Sequence, residues 1–218
     1  MSTIDYAKAR ELMVEQQVRP WDVLDPRVLD VLATLPREDF VPAAHRALAY
    51  TDIPLPLPHG ERMMKPVVEG RTLQSLALDP GDDVLEIGTG SGYLTACLAR
   101  LARDVVSLEQ HADLAEAARN QLGAQGLNNV NVIHADAFAY RTERRFSAIC
   151  VTAAVDSIPT KFVEWLQPGG RMFVIRGRSP AMEAVLLHND AGQPRIESLF
   201  ETDLPYLVGA APQPVFEF

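Results

Sequence analysis

The run Val84-Leu85-Glu86-Ile87-Gly88-Thr89-Gly90-Ser91-Gly92-Tyr93 constrains the fold more than any other stretch of this chain. Apolar residues lead into glycines at alternate positions, and a helix-forming segment follows. Glycine is needed where the backbone turns at positive φ or where a ligand must touch it. Strand, glycine turn and helix in that order open a parallel α/β sheet. The chain then repeats the rhythm. Asp83 to Ile87 reads as a buried strand and Tyr93 to Leu101 as a helix. Val105 to Glu109, Asn131 to His134, Ser147 to Thr152 and Arg171 to Arg176 read as further strands. Ala112 to Gln125 and Ile158 to Trp165 read as the helices between them. Strands alternating with helices predict a doubly wound, mostly parallel α/β sheet. Ala184 to His188 and Ile196 to Glu201 break the rhythm and read as antiparallel strands at a C-terminal edge.

The residues before the glycine turn follow another pattern. Ala7 to Val18 reads as a helix stopped by Pro20, and Asp25-Pro26 as an N-cap with proline at the first helical position. Val28, Leu29, Leu32 and Leu35 recur at helical spacing, so N-terminal helices precede the sheet. Pro36 to Pro66 is rich in proline and reads as a long irregular loop, a type that tends to carry function. Thr72 to Leu78 reads as one more helix. The 218 residues suit a single domain: N-terminal helices and loop over 1–70, a cofactor-binding core over 71–180 and edge strands over 181–218.

Acids identify the ligand class. A pyrophosphate beside Glu86 would be repelled, whereas S-adenosylmethionine brings an ammonium and a sulfonium that favour a nearby anion. Glu109, at the next strand end with Gln110 after it, can accept hydrogen bonds from ribose hydroxyls. Asp136, with the backbone N–H of Ala137, suits an adenine amino group and ring nitrogen. Acids at successive strand ends face one crevice, at the edge where such sheets bind ligands. The expected cofactor set is therefore Glu86, Gly88, Thr89, Gly90, Ser91, Gly92, Tyr93, Glu109, Gln110, Asp136, Ala137 and Thr152.

Several further segments carry a family resemblance. They are Pro36-Arg37-Glu38-Asp39-Phe40-Val41-Pro42, Ala49-Tyr50-Thr51-Asp52-Ile53-Pro54-Leu55-Pro56, Val151-Thr152-Ala153-Ala154 and Leu166-Gln167-Pro168-Gly169-Gly170. With Gly88 to Tyr93 they make the chain, from about Arg10 to Gly177, resemble the protein-L-isoaspartate O-methyltransferase family. The resemblance implies a Rossmann-like class I methyltransferase fold. It also implies a cytoplasmic protein-repair enzyme that esterifies the α-carboxylate of isoaspartyl residues in damaged peptides or proteins. A carboxylate is already ionised at neutral pH, with a pKa of about 4. It needs no general base, in keeping with a sequence in which no catalytic dyad stands out; His59 reads as an ordinary loop residue.

One segment departs from the family. Where the family has Gly-Gln-Thr-Ile-Ser-Gln-Pro, this chain has Gly60-Glu61-Arg62-Met63-Met64-Lys65-Pro66, with Met64 in the place of the serine and Lys65 in that of the glutamine. A thioether donates no hydrogen bond. Lys65 or Arg62 would then hold a carboxylate by charge, or Met63 and Met64 would line an apolar pocket for a different acceptor. Met63 to Pro66, with Met64 and Lys65 as the catalytic-side candidates, are expected to form the acceptor wall, joined by Thr152 and by Tyr206 to Gly209.

Composition narrows the alternatives. The net charge of -9 argues against a general nucleic-acid binder, which needs a basic face. Cys97 and Cys150 each lie in apolar sequence and read as reduced core residues; no metal site is expected. MSTIDYAKAR lacks an apolar signal region, and no apolar run nears the ~20 residues of a membrane span. Three readings stay open: an isoaspartyl methyltransferase, a methyltransferase with a small-molecule acceptor, and a non-catalytic cofactor-binding or interaction module. Glu86 disfavours a nicotinamide oxidoreductase.

Overall fold

A computed structural model describes residues 4–190 and 193–212. The N-terminal part holds α1 (Tyr6–Met13) and α2 (Pro26–Thr34), each with an aspartate at its N-cap: Asp5 accepts from the Lys8 N–H and Asp25 from the Arg27 N–H. The helix expected over 7–18 changes pitch. Beyond Met13 it widens into a π-helix over Val14–Val18, with the Arg19 N–H reaching back to the Val14 carbonyl. The proline-rich stretch is irregular only in part. It contains short 3₁₀ turns and a small hairpin of β1 (Leu55–Pro56) and β2 (Arg62–Met63).

The next helix, α3 (Pro66–Leu76), starts well before the expected Thr72. Proline at its first position needs no hydrogen-bond acceptor. The Val67 N–H is taken by the Asp52 carboxylate at 3.0 Å, so the cap comes from the preceding loop. The core then runs β3 (Asp83–Ile87), α4 (Tyr93–Leu101), β4 (Asp104–Glu109), α5 (Ala112–Ala124) and β5 (Val130–His134). It continues through β6 (Phe146–Val155), α6 (Thr160–Glu164), β7 (Leu166–Arg178), β8 (Ala181–Asp190) and β9 (Gln193–Thr202). Helix α6 is shorter than expected because Pro159 holds its own φ and disfavours helix in the residue before it. The C-terminal segment expected over 181–218 includes 191–192 and 213–218, and the N-terminal segment over 1–70 includes 1–3; these lie outside the described residues.

The large sheet has the order β5-β4-β3-β6-β7-β8-β9. Strands β5, β4, β3, β6 and β7 are parallel, while β8 and β9 are antiparallel at the edge, as the broken rhythm predicts. The chain leaves β3 toward β4 and β5, then returns to the other side of β3 with β6. That reversal opens a crevice at the carboxyl ends of β3 and β6.

Side chains alternate across the sheet. Val84, Val105 and Cys150 join the core under α1 to α5; Leu85, Ile87, Leu108 and Val151 join the opposite core with Phe162 and Trp165. The same period of two places Glu86 and Ser107 on the α4 side. Among the described residues no helix is long and apolar enough to cross a membrane.

Candidate active site

A cavity opens at the carboxyl ends of the central strands, with about 850 Å³ of empty space that includes its mouth. Its floor is the glycine turn. Gly88, Gly90 and Gly92 have φ of +100°, +54° and +83°, a region that favours glycine. The N–H groups of Gly88 and Thr89 both donate to the Leu108 carbonyl, which ties the turn to β4. A Cβ at Gly88 would run into Thr152 Oγ1, and one at Gly90 would come 3.3 Å from Leu57. Thr152 Oγ1 donates to the Gly88 carbonyl at 2.6 Å, so β6 supports the turn from its other side.

Glu109 ends β4 on the cavity wall and is held at both oxygens. Gly90 N–H donates to Oε2 at 2.7 Å and His111 N–H to Oε1 at 3.0 Å. Asp136 and Ala137, just past β5, line the cavity too, and Asp136 Oδ1 also accepts from the Phe138 N–H at 2.8 Å. Gln110, Thr89, Ser91 and Thr152 complete the wall expected from the sequence. At the other end stand Met63 and Met64, both buried.

Other expected residues stand elsewhere, for reasons the geometry supplies. Glu86 is fully buried behind the turn, not on the wall: its strand position turns it toward α4, where Oε2 accepts from Thr95 Oγ1 and Ser107 Oγ, each at 2.5 Å. Burial pushes its carboxyl up to about 8, against those two hydrogen bonds, and the charge of Glu109 adds to the rise. Glu86, expected as an anion facing a cationic ligand, thus stands behind the turn and not on the cavity wall. Gly92 allows close packing instead, since a Cβ there would lie 3.2 Å from Ala118 of α5. Tyr93 points into the core, edge-on to Phe40 at 5.6 Å and beneath the Arg37 guanidinium. Lys65 is the N-cap residue of α3, and neither it nor Pro66 is on the cavity wall. Of the late segment, Leu207 and Val208 reach the wall and Tyr206 and Gly209 do not. Ala154 N–H donates to the Pro205 carbonyl and Leu207 N–H to the Ala154 carbonyl, which lays this segment along the end of β6.

The wall also holds residues that the sequence reading missed. Glu69, from the first turn of α3, lines the cavity although only 2% exposed. Both of its oxygens accept from Arg37 NH1, at 2.6 and 2.5 Å. Arg37, fully buried, also donates from Nε to the Ala49 carbonyl and from NH2 to the Met64 carbonyl, each at 2.9 Å. A histidine–carboxylate pair lines the wall as well, His111 Nε2 lying 3.6 Å from Glu61 Oε1. His59 stacks on the His111 ring at 4.0 Å and bonds Asp113 at 2.8 Å, clasping the proline-rich loop to the start of α5. The signal for His111 was its place directly after Glu109 and Gln110 at a strand's carboxyl end. Glu69 gave no signal, since its meaning depends on a partner 32 positions away.

Comparison with known proteins agrees with this geometry. The family model described as Protein-L-isoaspartate(D-aspartate) O-methyltransferase matches residues 8–199. A protein-L-isoaspartate O-methyltransferase of Koribacter versatilis (strain Ellin345) is 37% identical over 206 residues, covering 94% of this chain and 92% of the relative. One from Methylorubrum extorquens (strain PA1) is 41% identical over 195 residues, covering 89% and 85%. In fold, the chain matches with a TM-score of 0.80 a Plasmodium falciparum structure assigned to the protein-L-isoaspartate O-methyltransferases and determined with S-adenosyl-L-homocysteine; identity is 20%, and 94% of this chain and 99% of that one are covered.

Proposed function

The chain belongs to the protein-L-isoaspartate(D-aspartate) O-methyltransferase family, and from that premise we propose that it methylates the α-carboxylate of isoaspartyl residues in damaged proteins, using S-adenosylmethionine. The observation that carries this reading is a cavity that joins the positive-φ glycine turn to Glu109 and Asp136 on successive strands. The residues present fit the cofactor. Gly88 and Gly90 line the cavity at positive φ, so the backbone of the turn itself faces the ligand, while Thr152 packs behind Gly88. Glu109 is oriented for ribose hydroxyls by its two backbone donors, and Asp136 with Ala137 stands one strand further, where adenine would lie. Gln110, Thr89, Ser91 and Thr152 complete the binding wall.

When bound, the cofactor supplies an electrophilic methyl group on a sulfonium. The protein's own part is to bind, align and desolvate. Met63, Met64 and Leu207 offer apolar surface on the cavity wall, which excludes water from a carboxylate nucleophile. The acceptor arrives ionised, so alignment rather than proton removal carries the catalysis. His111 and Glu61 line the same cavity beside Glu109, and an ionised acceptor asks no proton transfer of them. The work fits the cytoplasm, since both described cysteines are free and buried. The acidic net charge of -9 favours protein or peptide partners over nucleic acid.

The deciding assay is methyl transfer from labelled S-adenosylmethionine to an isoaspartyl peptide beside its aspartyl twin. Label on the isoaspartyl peptide alone is the expected result. No label, with S-adenosylhomocysteine binding verified, would turn the reading to the second one, a small-molecule acceptor, which Met64 on the cavity wall favours. A Gly88→Ala variant tests the cradle: forced φ and the encounter with Thr152 are expected to weaken S-adenosylhomocysteine roughly tenfold by calorimetry. Unchanged affinity would remove Gly88 from the site.

A further inference from the structure

We propose that Glu69 is the carboxylate that receives the α-ammonium of the cofactor's methionine tail, with Arg37 as the positioning residue that fixes it there. This rests on the S-adenosylmethionine reading above. The cavity follows the strand order. Asp136 stands at the end of β5, Glu109 at the end of β4, the glycine turn after β3, and Thr152 on β6. Helix α3, which carries Glu69, packs against α4, β6 and β7. Glu69 therefore occupies the end of the row opposite Asp136. If adenine and ribose take the β5 and β4 positions, the amino-acid tail extends past the glycine turn toward α3.

That tail carries a cation, and a buried cation needs an anion. Of the carboxylates on the wall, Glu109 and Asp136 stand at the ends of β4 and β5, the positions given to ribose and adenine. Glu61 faces His111. Glu86, which the sequence suggested for this role, is off the wall and bonded to Thr95 and Ser107. Glu69 is the wall carboxylate left at the tail end.

Its environment suits the task. The two hydrogen bonds from Arg37 use one acceptor direction on each oxygen, and a carboxylate has further directions free. Arg37 is itself held by the Ala49 and Met64 carbonyls and lies over the Tyr93 ring at 4.7 Å, so it cannot swing to follow a ligand. Burial pushes the Glu69 carboxyl up, and the Arg37 guanidinium works against that rise. The same arginine holds the Met64 main chain, so acceptor wall and tail site are set by one side chain.

The test is a ligand–protein cycle by titration calorimetry on the full chain. The ligands are S-adenosylhomocysteine, its analogue with hydroxyl in place of the amino group, and 5′-methylthioadenosine, which lacks the tail. Wild type is expected to prefer S-adenosylhomocysteine over the hydroxyl analogue by about tenfold or more. Glu69→Gln should erase that preference and leave 5′-methylthioadenosine within twofold of wild type. Should that variant not fold, Glu69→Asp, which keeps the charge but shortens its reach, must shrink the preference. A preference equal in wild type and variant, or an equal loss for all three ligands, would overturn the assignment. Failure of wild type to bind any of the three would instead strike the cofactor reading itself.

Discussion

Arg37→Met is expected to destabilise the fold by about 3–5 kcal/mol, the range found when one partner of a buried ion pair is removed. The pair is Arg37 with Glu69, whose side chains are 0% and 3% exposed. Removing the guanidinium strands Glu69 and also leaves the Ala49 and Met64 carbonyls without their donor. For a chain of this length each kcal/mol moves Tm by roughly 2–4 °C, so a fall of about 10 °C is expected. The double variant Arg37→Met/Glu69→Met should recover much of it, because no buried charge is then left alone. The loss also depends on pH with a definite sign. Burial already raises the Glu69 carboxyl and Arg37 opposes it, so the single variant raises it further. A raised acid has its stability contribution in full below its unfolded pKa and loses it as pH rises. The deficit of Arg37→Met should therefore widen from pH 5 to pH 8. A double variant as unstable as the single one, or a deficit that shrinks with pH, would show that this pair does not organise the region.

Arg37 illustrates what a sequence conceals. It lies in the Pro36 to Pro42 motif, where it is legible as a sign of kinship. Its physical role is set by Ala49, Met64 and Glu69, and no local pattern links those positions. The start of α3 was hidden for a similar reason. Its cap is Asp52, fifteen positions before Val67, rather than the neighbouring residue that capping rules inspect. What was legible rests on local periodicity. The turn from β3 to α4, the parallel core and its antiparallel edge follow from alternation, glycine spacing and element length. Glu109 and Asp136 were legible as strand-end acids, because a parallel sheet brings successive carboxyl ends to one edge. Glu86 is the instructive case. The strand period that puts Leu85 and Ile87 in one core puts Val84 and Glu86 toward the other. Nearness to the glycines in sequence is not nearness to the ligand in space.

That placement makes Glu86 a source of instability at neutral and alkaline pH. Glu86→Gln is accordingly expected to raise Tm at pH 8 while lowering it, or leaving it unchanged, at pH 4.5. Burial raises the wild-type carboxyl from an ordinary 4.5 to about 8. Below pH 4.5 it is protonated in both the folded and the unfolded chain, and no difference arises. Between 4.5 and about 8 only the unfolded chain ionises, so wild-type stability falls by up to about 1.4 kcal/mol per pH unit, roughly 5 kcal/mol across the window. Glutamine cannot ionise. Its carbonyl can still accept from Thr95 and Ser107, but its amide would face the position where Glu86 Oε1 has no partner, at a cost of about 1–3 kcal/mol. The difference between the two stability curves isolates this residue from every other titrating group. It should change by several kcal/mol over the window, with the curves touching or crossing near its acid end. Parallel curves would mean that Glu86 does not gain a proton on folding. Binding adds a separate check. With Glu86 off the cavity wall, the variant should hold S-adenosylhomocysteine as tightly as wild type. A tenfold loss in a well-folded Glu86→Gln would return the cationic tail to Glu86 and take it from Glu69, so the two glutamine variants, titrated side by side, decide which carboxylate meets the ligand.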